Sequence, residues 1–243
     1  MSQLVNGRSL TILITTIGCA GVIRLIGFGF GREASLARFL EVRILGSDVY
    51  SGTWLLFMFL FLLGLGVPYA VVRYAFKERL RDYGMSLGKS TEGVKWVLFL
   101  YPVYLLAPLG SAYIGTDSYY TYLTNPSFVT PVGVAFHSLS YMAFVLGYEF
   151  LFRGFALFGL SRAMGDTLLA RGVALTVSGL LSAVFLLGFP WIFPISALLS
   201  MLPAGLLNYR LRSFVFFAFV HWNIGIWSDI WEMIKLNISG SLW

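Results

Sequence analysis

The chain has 243 residues, 58% of them hydrophobic and only 12% charged, with a formal net charge of +6 and a mean hydropathy of +0.81. Soluble domains carry about 25% charged residues, so this composition excludes a protein surrounded by water and points to one integral membrane domain. The positive balance is not clustered among aromatic residues on a polar segment, which argues against nucleic acid, and the single Cys19 excludes an internal disulfide or a Cys-based metal cluster.

A membrane-crossing helix needs about 20 mostly apolar residues. Seven runs qualify, at 9–30, 51–76, 96–115, 131–152, 167–188, 194–209 and 213–234. The expected fold is therefore all-α, a polytopic helical bundle of about seven transmembrane spans. In the first run, Thr16-Ile17-Gly18-Cys19 loosely resembles a lipoprotein cleavage box, but Thr16 does not suit it, so an uncleaved span is expected. In the 31–50 connection, Leu36, Phe39, Leu40 and Ile44 share one helical face, with Glu33 and Glu41 beside three arginines. That pattern suits an amphipathic helix lying in the membrane surface. Residues 1–50 thus form an N-terminal span with an interfacial helix, and 51–243 form the membrane core.

Gly27, Gly29, Gly31, Gly64 and Gly66 offer places for close helix approach. Pro68, Pro102 and Pro108 should kink their spans, and the short sixth run, which carries Pro203, should be tilted or incomplete. Trp54, Trp96, Tyr119, Tyr120, Tyr122, Trp191, Trp227 and Trp231 sit where membrane-belt aromatics belong. Basic residues alternate between connections: Arg73, Lys77, Arg79, Arg81, Lys89 and Lys95 in one, Arg153 and Arg162 in the next, then Arg210 and Arg212. The 116–130 and 188–194 stretches have neither Lys nor Arg. The positive-inside rule then predicts a cytoplasmic N-terminus.

The fourth run ends in Gly147-Tyr148-Glu149-Phe150-Leu151-Phe152-Arg153-Gly154. On a helix Glu149 and Arg153 lie on one face. An ionisable group at membrane depth is a functional-site hypothesis in its own right. Glu149 suits a general base, and the alternative is a buried ion pair that orients spans 4 and 5. His221 suits a proton donor, metal ligand or oxyanion stabiliser, or else a hydrogen bond between helices. His137 lies three turns before Tyr148, about 16 Å away by helix rise, too far to act with Glu149. Arg24 and Arg171 are expected to snorkel or pair with acids. Two histidines on different runs, with no H-E-x-x-H pair, give no metal site, and no G-x-S-x-G elbow supports serine catalysis. No cofactor is expected.

At Glu149-Phe150-Leu151-Phe152-Arg153-Gly154 the sequence resembles the CPBP family, the CAAX prenyl proteases and bacteriocin-processing or Abi proteins. Arg81-Asp82-Tyr83-Gly84-Met85-Ser86-Leu87 resembles the basic connection before that family's core spans, and the likeness covers about residues 70–230. The resemblance implies a multi-span protein, in a prokaryotic inner (plasma) membrane, whose catalytic members cleave peptides within the bilayer. Their motifs are E-E-x-x-x-R, F-x-x-x-H and H-x-x-x-N. Carried over, Arg153 matches the arginine, Glu149 the second glutamate, and Tyr148 stands where the first belongs. Phe185 matches the phenylalanine of the second motif, and Phe189 occupies its histidine position. His221 matches the last histidine, four before Gly225 rather than an asparagine; Asn223 is only two away.

Tyr148, with an ordinary pKa near 10, is a poor base at neutral pH. Glu149 takes over the base's place only if span 4 turns by about 100°. The resemblance with these departures implies impaired proteolysis and a binding or scaffolding role, toward another membrane protein, a membrane-bound peptide or a lipid. An active endopeptidase using Glu149 and His221 is the alternative, and a transporter or lipid-handling protein the third.

Overall fold

The protein is described here by a computed structural model, covering residues 6–25, 57–112, 131–188 and 191–238. Among the described residues the extended elements are helices, with no strand. They are α1 (Gly7–Ile23), α2 (Phe57–Ala75), α3 (Ser90–Ala112), α4 (Pro131–Ala163), α5 (Leu168–Phe185), α6 (Ile192–Leu211) and α7 (Val215–Ile238). Of these, α2, α4, α5 and α6 are both long and apolar enough to cross a membrane. α1 is apolar but has only 17 residues. The expected interfacial helix at 31–50, Gly27, Gly29, Gly31, Trp54, Tyr119, Tyr120, Tyr122 and Phe189 lie outside the described residues.

Local chemistry sets the ends. Asn6 caps α1 by accepting a hydrogen bond from the Ser9 N–H at 2.9 Å, while the Asn6 N–H donates to Ser9 Oγ at 3.0 Å. This reciprocal pair satisfies donors that a helix start leaves open. Thr167 caps α5 through the Ala170 N–H. Within α2 the backbone takes two π-helical turns, Leu62–Gly66 and Val71–Ala75, on either side of Pro68. Pro68 has no N–H to give, and a shift in hydrogen-bond register is a common way to absorb that loss. The sixth run is not incomplete: it forms a continuous 20-residue helix that carries Pro203 inside it.

The fourth run also differs from its expected limits. It does not stop at residue 152 but continues to Ala163, with a π-helical stretch from Phe150 to Ala156. Arg153 is therefore a buried helix residue and not a loop cation. The stretch from Gly147 to Ser161 is buried throughout. A helix that is apolar all round belongs in the centre of a bundle, and α4 takes that place. α1, α2 and α5 pack on it, α7 lies against α3 and α4, and α6 lies against α5.

Glycine decides the closest contact. A Cβ on Gly64 would stand 2.7 Å from the Gly147 carbonyl oxygen, and one on Gly147 would stand 2.9 Å from both the Leu60 carbonyl and Phe61 Cα. α2 and α4 thus touch backbone to backbone.

Three connections, 76–89, 164–167 and 212–214, meet the start of α1 at one end of the bundle. Asn6 donates to the Ala163 carbonyl at 2.6 Å, and Arg8 pairs with Glu78. The Phe214 N–H donates to the Gly84 carbonyl and the Lys89 N–H to the Leu211 carbonyl, both at 3.1 Å. Gly88, with φ of +44°, is pressed so close to the Leu211 carbonyl that a Cβ would fall 2.0 Å from it.

Glu78 is the hub of this end: it accepts from Tyr83 Oη at 2.7 Å and pairs with Arg8 and, at 3.5 Å, with Arg162. Partial burial pushes its carboxyl up, but the bonds from Arg8 and Tyr83 and the nearby charges outweigh burial and hold it below the ordinary value. Hydrogen bonds from Arg171, and then from Ser161, hold Asp166 below its ordinary value too.

A depressed folded pKa gives stability that is present above the unfolded value and lost as pH falls through the folded one. Tryptophan-monitored unfolding in detergent should therefore show stability falling with pH from about 4–5 downward. Glu78→Gln combined with Asp166→Asn should flatten that slope; an unchanged slope would refute the assignment.

Candidate functional site

The candidate site forms where the centre of α4 meets α5, α6 and α7. Glu149 is fully buried, and its Oε1 takes two donors at once. Arg153 Nη1 donates to it at 2.5 Å, one turn along α4, and His221 Nδ1 of α7 lies 2.6 Å from it. Hydrogen bonds between ionised partners are among the stronger ones a protein makes. Oε2, equally buried, has no hydrogen-bond partner among the described residues.

Arg153 reaches further than the expected ion pair. Its Nη2 donates to Ser200 Oγ of α6 at 3.2 Å, and its guanidinium lies 4.4 Å from the centroid of the Phe217 ring of α7. The pair thus ties α4 to α6 and α7, and not to α5 as an ion pair orienting spans 4 and 5 would. A guanidinium suits this task because its planar fork serves a carboxylate, a hydroxyl and an aromatic face together.

Tyr148 stands beside Glu149 and meets the same histidine. Its ring lies edge-on to His221 with centroids 5.5 Å apart, and it packs on Phe152 at 4.9 Å and on Phe185 at 5.7 Å. Positions 148 and 149 point about 100° apart on a helix, and His221 is reached by both. Phe185, at the end of α5, also contacts Phe152.

Tyr148, Phe152 and Phe185 wall a narrow apolar cleft, completed by Ile23, Leu60, Gly64, Phe144 and Leu151. Glu149 and His221 do not line it. Asn223 points away, its side-chain amide donating to the Phe219 carbonyl at 2.8 Å in its own helix. The structure therefore joins Glu149, Arg153, His221, Tyr148 and Phe185, leaves Asn223 apart, and does not describe Phe189.

A second buried pair lies nearer the other ends of α4 and α7. His137 Nε2 is 2.7 Å from Asp229 Oδ2. One turn on, Glu232 is 1% exposed and lies 3.6 Å from Lys235. His137 does not meet Glu149, as its spacing predicted. Its aspartate partner was legible only in principle: an acid inside an apolar run needs a partner, and His137 sits on another such run. Ser200 and Phe217 carried no signal, since serine and phenylalanine are ordinary in membrane helices. Arg171 does pair with an acid, Asp166, at 2.8 Å.

Among the described residues no three His, Cys, Asp or Glu side chains gather as metal ligands. Chemically, the site can hold a carboxylate between a permanent cation and a histidine, and can pass a proton between Glu149 and His221. No family model, curated protein or solved structure matches the chain.

Proposed function

We propose that this is a CPBP-type protein of about seven spans, in an inner (plasma) membrane with a cytoplasmic N-terminus, that binds rather than cuts. Its occupant is a membrane protein, a membrane-bound peptide or a lipid, held against the apolar cleft beside Tyr148 and Phe185. The observation that carries this reading is the full burial of Glu149, whose Oε1 is already held by Arg153 and His221. Water activation needs a base within reach of the water, and transition-state charge needs preorganised donors. Here an aromatic wall stands where a second acid is expected, and Asn223 is engaged elsewhere. Removing one oxyanion donor commonly costs about 100- to 1000-fold in rate. The cleft side chains, all apolar or aromatic, suit acyl or side-chain contact.

The second reading, an intramembrane endopeptidase, draws on one fact: Glu149 and His221 are 2.6 Å apart. One experiment separates them. The purified chain is reconstituted in liposomes with a set of membrane-anchored peptides, beside Glu149→Gln and His221→Ala. Binding without turnover predicts no cleavage in any of the three, and cross-linking from a photoreactive residue at 185 to an added peptide or lipid in all three. Cleavage by the parent chain that both variants lose would overturn it.

A further inference from the structure

At the end where α1 begins, acids and cations divide unequally. Among the described residues each acid there is taken: Glu78 by Arg8 and Arg162, Asp82 by Arg162, Glu92 by Lys89 and Arg210, and Asp166 by Arg171. Outside α3, where Lys95 lies, Arg73, Lys77, Arg79, Arg81 and Arg212 remain, all exposed and with side chains that have no hydrogen-bond or ion-pair partner among the described residues. Five like charges on one face repel each other, and an external anion relieves that repulsion.

The placement of these cations selects the anion. Arg73 lies in the last turn of α2, and Lys77, Arg79 and Arg81 follow it directly. Arg212 caps α6. Both helices are long and apolar enough to span a bilayer, so the five cations fall at the depth of the headgroups. Exposed leucines accompany them: Leu87, and Leu168 and Leu169 at the start of α5, 88% and 67% exposed. A soluble acidic partner would leave those leucines in water, whereas a bilayer covers them while its phosphates meet the cations.

We propose that this end is a binding surface for anionic phospholipid headgroups, with Arg73, Lys77, Arg79, Arg81 and Arg212 as its contacts. The Glu78 and Glu92 ion pairs position the surface by neutralising its acids and bracing the turn at Leu80–Tyr83 and the start of α3. The surface is independent of what the cleft beside Tyr148 holds.

The test titrates the purified full chain, in neutral detergent, with phosphatidylglycerol, phosphatidylcholine or inorganic phosphate. Bound lipid is counted by native mass spectrometry, and stability is read as the unfolding midpoint. Phosphatidylglycerol should bind more tightly than phosphatidylcholine, raise the midpoint, and weaken with added salt. At roughly fivefold per cation, the triple variant Arg79→Gln/Arg81→Gln/Arg212→Gln should lose on the order of 100-fold in affinity. Arg171→Gln, which removes a paired cation, should lose almost none. Equal affinity for the two lipids, an equal response to inorganic phosphate, or full affinity in the triple variant would each overturn the proposal. Should the triple variant fail to fold, the salt dependence of the parent chain decides: no dependence refutes it.

Discussion

Arg153→Ala is expected to destabilise the fold by about 3–5 kcal/mol, the typical cost of leaving a buried charge without its partner. The substitution leaves the fully buried Glu149 without its permanent cation, with His221 as its remaining partner, and removes the donor to Ser200 and the cation over Phe217. Net stability is only about 5–15 kcal/mol for a typical domain, so much of the chain should unfold or be degraded. The double variant Glu149→Leu/Arg153→Met should recover most of that loss, because replacing both members of a buried pair with apolar groups of similar size is often neutral. His221 loses a partner in the double variant, but its side chain is 28% exposed and can hydrogen-bond elsewhere. Denaturation in detergent compares the three proteins. A single variant as stable as the parent, or a double variant no better than the single, would refute the clamp.

Gly147→Val is expected to cost about 3 kcal/mol, the upper part of the range for overpacking. Its first side-chain atom would stand 2.9 Å from backbone atoms of α2, and backbone cannot swing aside as a side chain can. Separation of α2 from α4 would also open the cleft that Leu60, Gly64 and Tyr148 help to wall. The control lies two residues from the partner glycine: nothing comes within 4 Å of a Cβ on Gly66. Gly66→Ala should be neutral or slightly stabilising through helix propensity. A cysteine cross-link between α2 and α4, read together with the unfolding midpoint, tests both. Equal effects at 147 and 66 would show that the contact does not limit packing.

The pair at 149 and 153 was legible because helix geometry alone fixes it: four residues on a helix bring side chains together whatever surrounds them. The separation of His137 from Glu149 was legible for the same reason. The limits of α4 were not. Hydropathy stops at Arg153 because it scores the guanidinium as a charge facing water, whereas in the fold Glu149, Ser200 and Phe217 surround it. The contact of His221 with Glu149 spans 72 residues, and no periodicity carries such a distance. The His137–Asp229 pair, 92 residues apart, was hidden in the same way.

Composition and spacing suffice to make the chain a helical membrane protein, to place its apolar runs, and to put Glu149 and Arg153 on one helix face. Composition and a 3.6-residue period are sums over neighbours along the chain, so they suffice for those facts. Packing in three dimensions makes α4 the central helix, buries Arg153 within it, and lets one carboxylate oxygen join α4 to α7. Those outcomes depend on which faces meet across the bundle. Glycine contacts and single hydrogen bonds between distant residues set that meeting, and nothing in local order encodes it.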